Sequence, residues 1–315
     1  MGPGYQALRE TAGALDLSVR GKIFVTGEDR VRLLHAMTTN HVQQLEPGQG
    51  CYVFFLNPQG RILADANLFV TPDRILLDVE PEVRERVYQH LDKYIIADDV
   101  TLEDASDSLS ALAIEGPTAE QVLRSMGAPV PDAAYSHLEW KGGLVARVSS
   151  TGASGFRIFA PKENLPALDL ADADSARVVR IEHAKPRYGE DITDSALPQE
   201  TQQMHALHFS KGCYIGQEIV ERVRSRGHVN RLLVGLHIAA KDHVTAGTKL
   251  TADGAEVGEI TSAAFSPAQG RTVALGYVRA QFAGPGAAVK AGDFDAITIP
   301  VAGSSASGPA RTAGY

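Results

Sequence analysis

Three strand-forming runs in close succession limit the fold more than any other feature. Cys51 to Leu56 leads through the turn Asn57-Pro58-Gln59-Gly60 into Arg61 to Val70, and Arg74 to Val79 follows. Before them, Lys22 to Val25 reads as a strand, and Val31, Leu34 and Met37 recur at helical spacing behind the cap Asp29. After them, Pro81 opens a helix with Val83, Val87 and Leu91 on one stripe. Strands are expected at Val100 to Glu103 and Ser110 to Ile114, with a helix from Gly116-Pro117 to about Met126. Leu144 to Val148 and Phe156 to Phe159 add strands, Ser175 to His183 a helix, and Arg187 to Gln203 a loop. Strand pairs thus flank helices without a regular βαβ alternation, which predicts an antiparallel α+β layer rather than a Rossmann sheet.

Beyond Arg231 the pattern changes. Val234, Leu236 and Ile238 alternate, Asp253-Gly254 signals a hairpin, and Val257 to Ala263 and Thr272 to Val278 are short strands, so a small all-β domain is expected. Ala302 to Tyr315, rich in Gly, Ser and Ala, reads as a disordered tail. A chain of 315 residues accommodates two or three domains. No apolar run reaches the roughly 20 residues of a membrane span, and Met1 to Glu10 has no secretory pattern, so a cytoplasmic protein with no membrane partner is expected. The net charge of −8 argues against general nucleic-acid binding.

The chain holds two cysteines, Cys51 and Cys213, with no CxxC or HExxH nearby, so neither a disulfide framework nor a metal site is indicated. His205 and His208 sit three apart without an evident third ligand. No Gly-x-Ser-x-Gly elbow supports a serine hydrolase. Cys213 lies in Lys211-Gly212-Cys213-Tyr214-Ile215-Gly216-Gln217-Glu218, just before a helix expected over Gln217 to Arg226 and closed by Gly227. The helix N-terminus and the Lys211 ammonium would favour a reactive thiolate. The alternative is a small cysteine packed in a turn. Arg222, Arg224, Arg226, His228 and Arg231 form a local basic cluster, suited either to an anionic ligand or to ordinary solvated ion pairs.

This run, with Arg222 and Arg231, resembles the signature of the YgfZ-type folate-binding proteins, the iron–sulfur cluster assembly and repair branch of the glycine-cleavage T-protein superfamily. Thr39-Asn40-His41-Val42, Asn57 to Ile62, Gly116-Pro117-Thr118-Ala119, Arg180-Ile181-Glu182 with Tyr188-Gly189, and Gly258 to Ser262 with Ser266-Pro267 are similar to the wider superfamily. The resemblance implies a three-lobed cloverleaf: residues 1–48 with 185–230 as a folate-binding domain, 49–184 as a ferredoxin-like α+β domain and 231–301 as a C-terminal β-barrel, ahead of the tail at 302–315. It implies tetrahydrofolate, or a one-carbon derivative, in a central channel. Asp65 would sit at the folate's reactive nitrogen, and Asn40, Arg177, Glu182, Tyr188 and Lys211 would contribute to the site. Left to its residue pattern alone, Asp65 is also an ordinary strand residue.

One departure bears on the reaction. Where the transferases carry glutamates that read the pterin's donors, Thr151-Gly152-Ala153-Ser154-Gly155-Phe156-Arg157 offers Ala153 and Arg157, and an arginine has no acceptor. The resemblance therefore implies first a folate-binding accessory protein for iron–sulfur clusters, acting through Cys213 tuned by Lys211, with Gln217 and Glu218 shaping the loop and iron–sulfur enzymes as transient partners. Any cluster would need a partner's ligands, since one chain with two cysteines cannot supply four thiolates. Two further readings are a tetrahydrofolate-dependent aminomethyltransferase and a folate-binding scaffold without chemistry.

Overall fold

The computed structural model describes residues 2–227, 229–241 and 244–304. Helix α1 (Pro3–Glu10) leads into β1 (Gly13–Asp16), β2 (Gly21–Thr26) and α2 (Arg30–Met37). Then come β3 (Gly50–Leu56), β4 (Ile62–Val70), β5 (Ile75–Val79), α3 (Arg84–Asp92), β6 (Thr101–Asp104), β7 (Ser110–Glu115) and α4 (Ala119–Ser125). β8 (His137–Trp140), β9 (Gly143–Ala146), β10 (Gly155–Ala160), α5 (Ala173–Glu182) and α6 (Gln217–Arg226) precede the C-terminal strands. These are β11 (Arg231–Ile238), β12 (Lys249–Ala252), β13 (Ala255–Ser266), β14 (Arg271–Arg279), β15 (Ala288–Ala291) and β16 (Phe294–Ile299).

The strands form two five-stranded sheets, ordered β3-β4-β5-β2-β6 and β1-β7-β10-β9-β8, and a closed barrel β11-β14-β13-β12-β15-β16. This is the expected α+β architecture with a β-barrel at the C-terminal end. The first sheet runs across the expected boundary at 48/49, because β5 hydrogen-bonds to β2. Strands β1 and β8 were not expected: four residues each are too few to show a period of two. The first helical turn after Pro81 is a 3-10 turn, and α3 proper starts at Arg84. Residues 305–315 of the expected tail lie outside the described residues, as does His228 of the basic cluster. Among the described residues no helix is long and apolar enough to cross a membrane.

Alternation along β2 to β5 gives the first sheet two different faces. Ile23, Val53, Phe55, Leu68, Ile75 and Leu77 are buried with Leu34 and Met37 of α2 and Val87 and Leu91 of α3. Each such large apolar side chain contributes roughly 1.5–3 kcal/mol of burial. The opposite face meets the second sheet. There Phe69, Leu76, Leu144 and Phe159 pack together at one end, while Lys22, Asn67, Asp78 and Arg157 are buried at the other. The polar end cannot collapse as an apolar core does, and the site is built there.

The barrel is fixed to this centre by two buried carboxylates. Asp191 accepts from Arg180 at 2.6 Å, from the Thr261 and Ser262 hydroxyls at 2.7 and 2.6 Å, and from the Arg187 backbone N–H at 3.1 Å. Glu182 accepts from the hydroxyls of Tyr5 and Ser266, each at 2.5 Å, and pairs with Arg9 at 3.2 Å.

Candidate active site

Residues two apart on a strand share a face, so β4 aims Asp65 and Asn67 at the second sheet. The register places Tyr52 opposite Asn67, and Asn67 opposite Asp78. Arg157 enters from β10, and the segment Ser149-Ser150-Thr151 closes one side. Helix α5 adds Arg177 and Arg180, and the chain leaving it adds Lys185, Pro186, Arg187 and Glu190. Together they enclose a cavity of about 580 Å³ with Leu15, Leu17, Val19, Pro81 and Leu170 as apolar walls. That volume lies within the range of small-molecule sites.

The walls are held by a charge network. Arg20 donates through Nε to Asp78 Oδ1 at 2.7 Å and also bonds Glu80. Arg157 bonds the other Asp78 oxygen and donates to the Ser150 hydroxyl at 2.6 Å, and Asn67 donates to Asp78 Oδ2 at 2.9 Å. Burial raises the Asp78 carboxyl, but Arg157 and Arg20 outweigh it and hold its pKa below the ordinary value. Arg187 pairs with Glu80 at 3.0 Å and Glu82 at 2.6 Å, and Arg177 and Arg180 share Glu190. Glu115 fixes the Ser149-Ser150-Thr151 segment by accepting from both side-chain hydroxyls of Ser149 and Thr151 and from the backbone N–H groups of Ser150 and Thr151.

Asp65 behaves differently from the paired carboxylates. Its Oδ2 accepts from the Tyr52 hydroxyl at 2.5 Å. Among the described residues its Oδ1 has no hydrogen bond and no cation within 4.0 Å. Burial pushes its pKa up to about 6, Glu80 adds to the rise, and the Tyr52 hydrogen bond opposes it. Burial and the Asp65 charge raise the Tyr52 phenol well above its usual range, so it remains a donor. Lys185 lies across the Tyr52 ring, its Nζ 5.9 Å from the centroid.

Of the expected site residues, Asp65 and Arg177 line the cavity, and the others lie elsewhere. Asn40 Nδ2 donates to the carbonyls of Tyr52 and His205, at 3.0 and 2.9 Å. Glu182 is spent on the barrel clamp. The Tyr188 hydroxyl donates to the Leu63 carbonyl at 2.7 Å. Lys211 is buried, and its Nζ donates to the carbonyls of His35 and Thr38 at the end of α2. Burial lowers its pKa to about 7, against a smaller effect of Cys51. Cys213 is exposed and does not line the cavity. Its loop docks on the β3–β4 turn: a Cβ at Gly216, which has φ +83°, would stand 2.7 Å from the Asn57 carbonyl oxygen. Burial raises the other thiol, Cys51, to about 12. His205 and His208 have separate neighbours, the first stacked on Tyr52 at 5.3 Å and the second edge-on to His41 at 4.9 Å.

Arg157, the residue that replaces an expected acceptor, is turned into the wall by Asp78 and Ser150, and Ala153 does not line the cavity. The carboxylates that do line it are those of Asp16, Asp65, Glu80 and Glu190. Tyr52, Glu80, Arg20 and Lys185 were missed from sequence. A polar stripe was legible for one of them: Asp65 and Asn67 interrupt an otherwise apolar strand, and Asp78 in the next strand with Glu80 just beyond it repeats the pattern.

Similar proteins bear on what such a site does. The chain is 30% identical over 305 residues to an aminomethyltransferase of Nostoc, covering 89% of this chain and 80% of that one. It is likewise 30% identical over 308 residues to an aminomethyltransferase of Geobacillus kaustophilus, covering 91% and 84%. A putative chloroplastic transferase of Arabidopsis thaliana is 27% identical over 89% of this chain and 68% of its own. The crystal structure of the glycine cleavage system aminomethyltransferase T from Bartonella henselae superposes with a TM-score of 0.85 at 23% identity, over 96% of this chain and 88% of that one. These likenesses correct the expected iron–sulfur assembly role. That expectation leaned on eight residues around Cys213 and on Ala153 and Arg157 in place of glutamates, whereas the similarity to aminomethyltransferases spans about nine-tenths of the chain. Residues 3–211 match the GCVT N-terminal domain and residues 231–301 the glycine cleavage T-protein C-terminal barrel domain, and the chain belongs to the glycine cleavage T-protein family.

Proposed function

We propose that this protein binds a tetrahydrofolate in the central cavity and works as a one-carbon transferase of the aminomethyltransferase type, with Asp65 as its acid–base group. The observation that carries this reading is Asp65 itself: a buried carboxyl on the cavity floor, one oxygen held by Tyr52 and the other free, with its pKa raised to about 6. When bound, tetrahydrofolate supplies a ring amine that takes up the one-carbon unit.

The residues present fit such a ligand. Leu15, Leu17, Val19 and Leu170 offer apolar walls for its rings, and Asp65, Glu80 and Glu190 retain acceptor capacity for its donors, because each carboxylate oxygen accepts more than one hydrogen bond. Tyr52 fixes the Asp65 carboxyl through Oδ2, which leaves Oδ1 to hold or release a proton toward the cavity. A carboxyl titrating near 6 changes state close to neutral pH, as proton transfer requires. Arg20 and Arg157 are committed to Asp78 behind the floor and form no ion pair with Asp65. Within the family, the Lys211 to Glu218 run supports a place in the YgfZ-type branch, a statement about ancestry separate from the reaction.

Purified protein given tetrahydrofolate and a carrier-bound aminomethyl group is expected to form methylenetetrahydrofolate, releasing ammonia and the free carrier. Folate binding without turnover overturns the transferase, and a titration with neither heat nor thermal stabilisation overturns the ligand.

A further inference from the structure

Every arginine lining the cavity is committed to a carboxylate of the chain. Arg20 and Arg157 hold Asp78, Arg177 and Arg180 hold Glu190, and Arg187 holds Glu80 and Glu82. Lys185 is the exception: among the described residues its ammonium has neither a hydrogen bond nor a carboxylate within 4.0 Å. Its position follows from how α5 ends. Ala184 takes a left-handed conformation, φ +48°, and the Lys185 N–H closes back on the Arg180 carbonyl at 3.0 Å. A non-glycine residue in this cap is strained, so the packing around it must hold it there. The reversed chain delivers the Lys185 amine across the Tyr52 ring, the same ring whose hydroxyl holds Asp65. Burial lowers the amine's pKa and the nearby Asp65 carboxylate raises it, so the two groups feel each other across the cavity floor.

Among the described residues the floor therefore offers an acceptor without a partner, Asp65 Oδ1, and a donor without one, Lys185 Nζ, more than 4.0 Å apart and both set against Tyr52. A lysine amine brings donors and, when charged, no acceptor, so the ligand atom next to it must be an acceptor. The matching ligand edge carries an N–H next to a carbonyl oxygen. In a reduced pterin that edge is the reactive ring nitrogen with the neighbouring 4-oxo group. Resting on the folate reading above, we propose that Lys185 is a specificity-determining residue that donates to the 4-oxo oxygen and makes the cavity selective for 4-oxo over 4-amino pteridines. A 4-amino group would turn a donor toward a donor, leaving both without partners.

The test is calorimetric titration of the full-length protein with tetrahydrofolate and with its 4-amino analogue, tetrahydroaminopterin. The wild type is expected to prefer tetrahydrofolate by about 10- to 100-fold, the size of a charge-assisted hydrogen bond. Lys185→Met, similar in length and apolar, is expected to bring the two affinities within about threefold, mainly by weakening tetrahydrofolate. Lys185→Gln keeps an amide donor and is expected to fall between; its melting curve and that of Lys185→Met report whether the fold is retained. If tetrahydrofolate binds and the preference is the same in wild type and Lys185→Met, or both ligands weaken equally, the assignment of Lys185 is overturned and the folate reading stands. If neither ligand binds the wild type, the folate reading fails and the assignment with it.

Discussion

The cavity floor and the Lys211–Cys213 loop each contain a lysine near a titratable group, half-buried in the first and buried in the second, and they use it in opposite ways. On the floor, Lys185 has no partner in the described chain and shares the cavity with Asp65. In the loop, Lys211 donates to two carbonyls at the end of α2 and lies over the Tyr214 ring, and its neighbour Cys213 is exposed and does not line the cavity. The loop lysine is thus a structural tie between the motif and α2, reinforced by His35 Nε2, 2.8 Å from the Lys211 carbonyl oxygen. Closeness in sequence to a cysteine does not decide what an amine serves; the acceptors within reach decide it.

The largest effect expected on either side of this contrast is at the floor. Asp65→Asn keeps the shape and the Tyr52 partner but cannot take a proton, so turnover should fall by roughly 10²- to 10⁴-fold while tetrahydrofolate still binds. Unchanged turnover in a steady-state assay would remove Asp65 from the chemistry. The same variant probes the pH dependence of stability. The native carboxyl titrates near 6 and the unfolded one near 3.9, so between those values the native state holds a proton that the unfolded chain has lost. Wild-type stability relative to Asp65→Asn should therefore decline as pH rises from about 4 to about 6 and level off above, by on the order of 2 kcal/mol. Urea denaturation of both proteins at pH 4.5 and 7.5 reads this directly, and an equal gap at the two values contradicts a raised carboxyl.

Behind the floor, Asp78→Ala strands Arg20 and Arg157 without their shared carboxylate. A loss of about 3–5 kcal/mol is expected, since breaking a buried ion pair leaves charge uncompensated. In the loop, Lys211→Met leaves the His35 and Thr38 carbonyls short of donors and should cost about 1–3 kcal/mol with tetrahydrofolate affinity preserved. A large loss of affinity without a change in melting would instead tie the loop to the ligand. Smallest of all is Cys213→Ser, where an exposed site predicts a change within about 0.5 kcal/mol and no change in turnover.

Some of the site was visible in the residues and some was not. Asp65 emerged only through family resemblance, since by its residue pattern alone it passes for an ordinary strand residue. Lys185 gave no signal, because the left-handed turn after α5 is made by Ala184, where a glycine would have announced the reversal. The Cys213 motif gave too strong a signal. Its eight residues are distinctive, and they led to an iron–sulfur role that the chain-wide similarity to aminomethyltransferases overturned.

By itself the sequence determined the elements: the antiparallel strand block, the helix from Gln217 to Arg226 ended by Gly227 in a left-handed turn, and the β-rich segment that closes into a barrel. The existence and type of these elements follow from residue periodicity and turn residues a few positions apart, whereas their pairing, as in Ile23 with Asp104 or Gly235 with Ile299, joins distant residues. The cavity required the tertiary structure. Its walls come from β3, β4, β10, α5 and the segments between, which no local pattern brings together, and the partner of each buried charge depends on which of those segments meet.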